Sequence, residues 1–173
     1  VGDAEGNVVF EETQVYTGTA YQRLAWTLNL YDEQGRVTDT FRSDGTHAQT
    51  EWACCGKSAE TLPDGTAFTY AYDDLQRLEY RVRLGYAGQP DLVTHYTYDA
   101  AGRRLTETLS GGGQSLSTST GYDRAGRVVR QTAADGTVTT TTYADGGRTV
   151  TVTLPGGATR VTTQYLDGRT KSI

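Results

Sequence analysis

The sequence predicts an all-β chain, an antiparallel meander of tandem β-hairpin repeats that curls into a spiral strip or solenoid-like shell segment. Three observations predict it. A motif of the form aromatic-Asp-x-x-Gly-Arg recurs every 20 to 26 residues. Asp-Gly or Gly-Gly pairs stand between successive copies. Between these turn signals, apolar and polar residues alternate over short runs, the pattern of half-buried strands.

Taken in chain order, Gly2-Asp3-Ala4-Glu5-Gly6-Asn7 is a frayed first copy. Tyr31-Asp32-Glu33-Gln34-Gly35-Arg36 is intact. Trp52-Ala53-Cys54-Cys55-Gly56-Lys57 keeps the aromatic, the Gly and the base. Tyr72-Asp73-Asp74-Leu75-Gln76-Arg77 keeps everything except the Gly. Tyr98-Asp99-Ala100-Ala101-Gly102-Arg103 and Tyr122-Asp123-Arg124-Ala125-Gly126-Arg127 are intact again. Tyr143 to Arg148 and Tyr165 to Arg169 are weaker copies.

The motif has a mechanical meaning. Asp at the first position of a type I turn accepts a bond from the N–H two residues on. Gly three residues after it supplies the left-handed conformation of a three-residue bulged hairpin loop. Gly35, Gly102 and Gly126 are therefore predicted to have positive φ. The Arg is placed to pair with the Asp or to lie over a Tyr ring. Second turns at Asp44-Gly45, Asp64-Gly65, Asp135-Gly136 and Gly156-Gly157 return the chain. Longer versions at 86–90 and 110–113 explain the wider spacings.

Two turns per repeat give about fourteen strands, too many for a flat open sheet. Alternation assigns Phe68, Tyr70, Tyr72, Tyr96, Tyr98, Val150 and Val152 to a buried face. Thr69, Thr97 and Thr151 fall on the open face. The edge strands are expected near Val8–Phe10 and over Thr159–Tyr165.

The chain carries a formal net charge of −5, with 12 Tyr, 2 Trp and only 3 Phe. That suits an ordered, Tyr-rich β structure and offers no basic stripe for nucleic acid. No apolar run approaches a membrane span. The 173 residues are read as one repeat array, 1–173, of seven to eight hairpin repeats. Val1 at the start and the absence of Met are expected of a mature, processed or excised piece of a larger protein.

Nothing points to catalysis, a metal or a cofactor. His47 and His95 lie mid-strand without a nucleophile motif beside them, and the Asp residues are explained by turn geometry. Gly111-Gly112-Gly113 opens no helix, so it is not a phosphate loop. Cys54-Cys55 forms either a strained vicinal disulfide or two reduced or differently paired thiols. Adjacent Cα atoms are about 3.8 Å apart, below the usual disulfide range.

The motif residues Tyr31, Asp32, Gly35, Arg36, Tyr72, Asp73, Arg77, Tyr98, Asp99, Gly102, Arg103, Tyr122, Asp123, Gly126 and Arg127 resemble the YD-repeat (Rhs) family. The resemblance runs from about residue 2 to 170. It implies long β-strips that spiral into hollow shells, in bacterial toxin complexes, Rhs effectors and teneurin-like surface proteins, enclosing a toxin or another chain segment. The family's self-cleaving C-terminal core has no counterpart in these residues, and seven or eight repeats cannot close a cage. The resemblance therefore implies a structural wall module of a secreted or cell-surface protein, not an enzyme. Its partners would be neighbouring repeats of the parent chain, other copies through terminal edge strands, an enclosed polypeptide or glycans. An extracellular self-assembling fibre and a carbohydrate-binding adhesin module are the alternatives.

Overall fold

The computed structural model describes residues 1–172. The fold is an all-β antiparallel meander, with no α-helix among the described residues. It divides into two compact units, Val1–Leu92 and the residues from Val93 onward.

The first unit holds β1 (Phe10–Tyr16), β2 (Tyr21–Tyr31), β3 (Val37–Arg42), β4 (His47–Trp52), β5 (Lys57–Thr61), β6 (Ala67–Tyr72) and β7 (Leu78–Arg83). The second holds β8 (Leu92–Tyr98), β9 (Arg104–Gly111), β10 (Gln114–Tyr122), β11 (Val128–Thr132), β12 (Val138–Ala144), β13 (Thr149–Thr153), β14 (Thr159–Gln164) and β15 (Thr170–Ser172). Within each unit every strand pairs antiparallel with the next in sequence. The aromatic-Asp turns consequently line one rim of a unit, and the Asp-Gly turns line the other.

Both turn types are three-residue loops. In the first, the Asp99 N–H donates to the Arg103 carbonyl at 2.9 Å and the Gly102 N–H to the Asp99 carbonyl at 3.0 Å. Gly35, Gly102 and Gly126 sit at φ +72°, +80° and +83°, as the loop requires. In the second, the side chain after the Gly matters too. Asp44 Oδ1 accepts from both the Thr46 N–H (2.9 Å) and its hydroxyl (2.7 Å), and Asp135 does the same with Thr137.

A register slip follows most aromatic turns. Tyr31 opposes Val37 while Leu30 opposes Asp39, so Thr38 is an extra residue on β3. The same slip occurs at Trp52, Tyr72, Tyr98 and Tyr122. An extra residue on one strand sharpens the local twist.

Burial departs from the expected two-faced pattern. Phe68 is buried, at 7% exposure. Tyr70, Tyr72, Tyr96, Tyr98, Val150 and Val152 are only half-buried, and so are Thr69, Thr97 and Thr151. Each unit is a single layer. Its side chains are shielded by strand neighbours and not by a second sheet, so apolar and Thr faces end up nearly alike. Even Phe68 is roofed by a cation, the Arg81 guanidinium, 4.3 Å from its ring centre.

The edges also differ from expectation. Thr159–Tyr165 is not the last strand, because β15 pairs with the end of β14 (Thr163 with Ser172, Gln164 with Thr170). At the other end, the Val9 and Phe10 N–H groups both donate to the Val1 carbonyl at 3.0 Å. The open side of β1 therefore begins beyond Phe10.

Candidate functional site

The chemistry-bearing side chains concentrate on the aromatic-Asp rim. Asp99 shows how its turns are built. Its Oδ1 accepts the N–H groups of Ala101 (2.9 Å) and Arg103 (3.0 Å), and its Oδ2 accepts Nε and Nη2 of Arg103 at 2.7 and 2.6 Å. One carboxylate thus holds the loop backbone with one oxygen and the guanidinium with the other. Asp32 with Arg36, Asp73 with Arg77 and Asp123 with Arg127 repeat the arrangement, with Nε–Oδ2 distances of 2.7, 2.7 and 2.8 Å.

The guanidinium so fixed also serves the next repeat. Arg36 lies over Trp52 (5.2 Å to the ring centre), Arg103 over Tyr122 (4.7 Å) and Arg127 over Tyr143 (4.2 Å). The later ring in turn donates backward. Trp52 Nε1 bonds the Val37 carbonyl (2.8 Å), Tyr122 the Arg104 carbonyl (3.1 Å) and Tyr143 the Val128 carbonyl (3.0 Å). Each acceptor is the residue just after the previous Arg. Tyr31 makes the equivalent bond to Val8, just after Asn7, at 2.8 Å. Tyr72 bonds the Lys57 carbonyl at 3.0 Å.

Every clamp Asp is held below the usual carboxylate range. For Asp99 and Asp123 the largest cause is the backbone N–H of the following Arg, joined by its side chain. For Asp73 the Arg77 guanidinium comes first. For Asp32 desolvation is the largest single influence and acts upward, but the Arg36 N–H and guanidinium together outweigh it. A carboxylate already accepting four donors is a poor proton acceptor, so these groups are built to hold turns and not to move protons.

The weaker copies lose the clamp for visible reasons. After Tyr143 the Asp comes one residue late. Asp145–Gly147 forms a 3₁₀ turn, and Arg148 Nε bonds the Asp145 carbonyl. After Trp52 there is Ala53 in place of Asp. Cys54 and Cys55 are both unbonded thiols there, their sulfurs 2.6 Å apart. The copy without Gly keeps the loop by forcing Gln76 to φ +61°.

Away from the rim, His47 Nε2 lies 2.9 Å from Asp39 Oδ1, with its ring parallel to Phe41 at 4.2 Å. Glu60 joins Tyr70 and Lys57 on the β5–β6 surface. Burial and that carboxylate push the Tyr70 hydroxyl up to about 12. Among the described residues no group of three or more His, Cys, Asp or Glu is positioned to hold a metal, and no helix is long and apolar enough to cross a membrane.

Residues 122–159 match the RHS Repeat family model. No curated protein matches the chain. Among solved structures it is similar to the crystal structure of TcdB2-TccC3-TEV, at 13% identity over 98% of this chain and a TM-score of 0.42. It is similar to TcdB2-TccC3 without its hypervariable C-terminal region at 15% identity over 97%, TM-score 0.42. The Photorhabdus luminescens Tc holotoxin pore matches at 13% over 97%, TM-score 0.40. The chain spans 12% of the length of each of these chains.

Proposed function

We propose that this chain is a structural β-repeat module without catalysis of its own. It would serve as wall material of a YD/Rhs-type shell or surface protein in a secreted or cell-surface setting. One observation carries this reading. At three joints, Arg36–Trp52, Arg103–Tyr122 and Arg127–Tyr143, the Arg that closes one turn also covers the aromatic of the next, so one repeat is finished by its neighbour. Such a unit suits indefinite extension along a strip, the habit of repeat proteins. In the parent protein the strip would curl around an enclosed polypeptide. A sugar-stacking role would draw on Trp26 and Trp52, but both are half-buried. Trp26 is stacked against Phe10 and Trp52 lies beneath Arg36.

The test is to delete one whole repeat, residues 104–127. This joins Arg103 to Val128 and places Tyr143 next in line for Arg103. The shortened chain should fold with the same turns and lose about one repeat's share of stability. Complete unfolding would reject the modular reading. In the same preparation, glycosidase, peptidase and esterase substrates should remain at background for both chains. Turnover abolished by changing His47 or His95 would reject the non-catalytic reading.

A further inference from the structure

The β4–β5 turn is the odd member of its rim. Ala53 stands where the clamp Asp belongs, so the loop has no carboxylate to hold it. Lys57, in the Arg position, pairs with Glu60 instead. The loop also closes one residue tighter. The Ala53 N–H donates to the Gly56 carbonyl at 2.8 Å, whereas Asp32 reaches Arg36. Cys54 and Cys55 are the two residues left at its tip, with sulfurs 2.6 Å apart. Gly56 is confined as well, since a Cβ there would lie 2.4 Å from the Tyr72 hydroxyl.

We propose that Cys54 and Cys55 are a modification site, a vicinal dithiol that low-molecular-weight disulfides oxidise to a Cys54–Cys55 bond, which then fastens the turn in place of the missing Asp–Arg clamp. The chemistry is two-step thiol–disulfide exchange. The Cys54 thiolate attacks one sulfur of the small disulfide and the other leaves as a thiolate, giving a mixed disulfide on Cys54. Cys55 then loses its proton and attacks Cys54 Sγ, expelling the second small thiol. In sum, the protein loses two S–H hydrogens and gains one S–S bond, and the small disulfide is reduced to two thiols.

Two features set this order. Cys54 is exposed and Cys55 half-buried. The Cys55 thiol is raised above its ordinary value, first by its hydrogen bond with Cys54 and then by burial, so Cys55 keeps its proton while Cys54 reacts. The second step is intramolecular, between adjacent residues, which makes it faster than capture by another molecule. The loop places the two thiols side by side, which is the arrangement the resolving step needs.

The experiment treats the reduced full chain with oxidised glutathione and follows intact mass and peptide maps. The expected product is a monomer lighter by two hydrogens, with the link mapped to Cys54–Cys55. In the Cys55→Ser variant, a glutathione adduct should accumulate on Cys54, because nothing resolves it. A stable adduct on the unaltered chain, a disulfide-linked dimer or no reaction would each overturn the site. Amide hydrogen exchange tests the fastening. Residues 53–57 should exchange about tenfold more slowly in the oxidised chain. Unchanged exchange would reject the structural role of the bond.

Discussion

Gly102 and Gly126 hold the same place in their turns but have different surroundings. Both are left-handed, so Ala at either costs roughly 1–2 kcal/mol. A Cβ on Gly102 would meet nothing within 4 Å, whereas one on Gly126 would sit 3.1 Å from Arg103 Nη1. Gly126→Ala should therefore destabilise more than Gly102→Ala in urea unfolding, and Arg103→Ala should erase the excess. Gln76→Gly should do the opposite and stabilise by about 1 kcal/mol, since it relieves a left-handed side chain. The clamp carboxylates add a pH signature. Their folded pKa values lie below the unfolded ones. Their contribution is thus fully present above the unfolded carboxylate value, near pH 4, and is lost as pH falls through the folded values. Melting temperature should stay level, as far as these groups govern it, from neutral pH down to about 4 and then drop. Asp99→Asn should flatten part of that drop. These loops were legible in the sequence because the Asp, Gly and Arg act on one another within five residues. The crowding of Gly126 was not, because Arg103 reaches it from the preceding repeat.

Between hairpins, the bond from one aromatic to the previous strand is the joint that can be cut selectively. Tyr143→Phe removes the hydroxyl that bonds the Val128 carbonyl but leaves the ring beneath Arg127. It should cost about 1 kcal/mol. Tyr143→Ala should cost more, because the ring contact goes too. A double-mutant cycle of Tyr143→Ala with Arg127→Ala should show positive coupling, while Tyr143→Phe with Arg127→Ala should be closer to additive. The hairpins and their order could be read from the turn residues. The register slips could not, because the motif fixes the loop but not which residue of the returning strand goes unpaired. The short β15 was also missed. Thr170–Ser172 is three residues long, too brief for alternation to declare itself.

The whole chain exposes 11674 Å², where a compact monomer of 18.8 kDa exposes about 8300 Å². The excess is the area that single-layer sheets leave open on both faces. Unfolding therefore uncovers less new surface than in a globular protein of this length, and the urea m-value should be correspondingly low. A value typical of a globular chain of 173 residues would mean that both faces are covered in solution. This thinness is what alternation misjudged: the pattern says which residues share a face, but not whether anything lies over it. The joint between repeats has a further consequence, for it points one way. At three joints the guanidinium of Arg36, Arg103 or Arg127, set by its own Asp, covers a ring of later sequence, while Trp52, Tyr122 and Tyr143 reach back to a carbonyl already passed. During synthesis on the ribosome, the new hairpin at these joints thus meets a finished docking place, and pairing between sequence neighbours keeps the search local. The strip can be laid down in the order in which it is translated, each course seated on the one before it, with no need to wait for the far end of the chain.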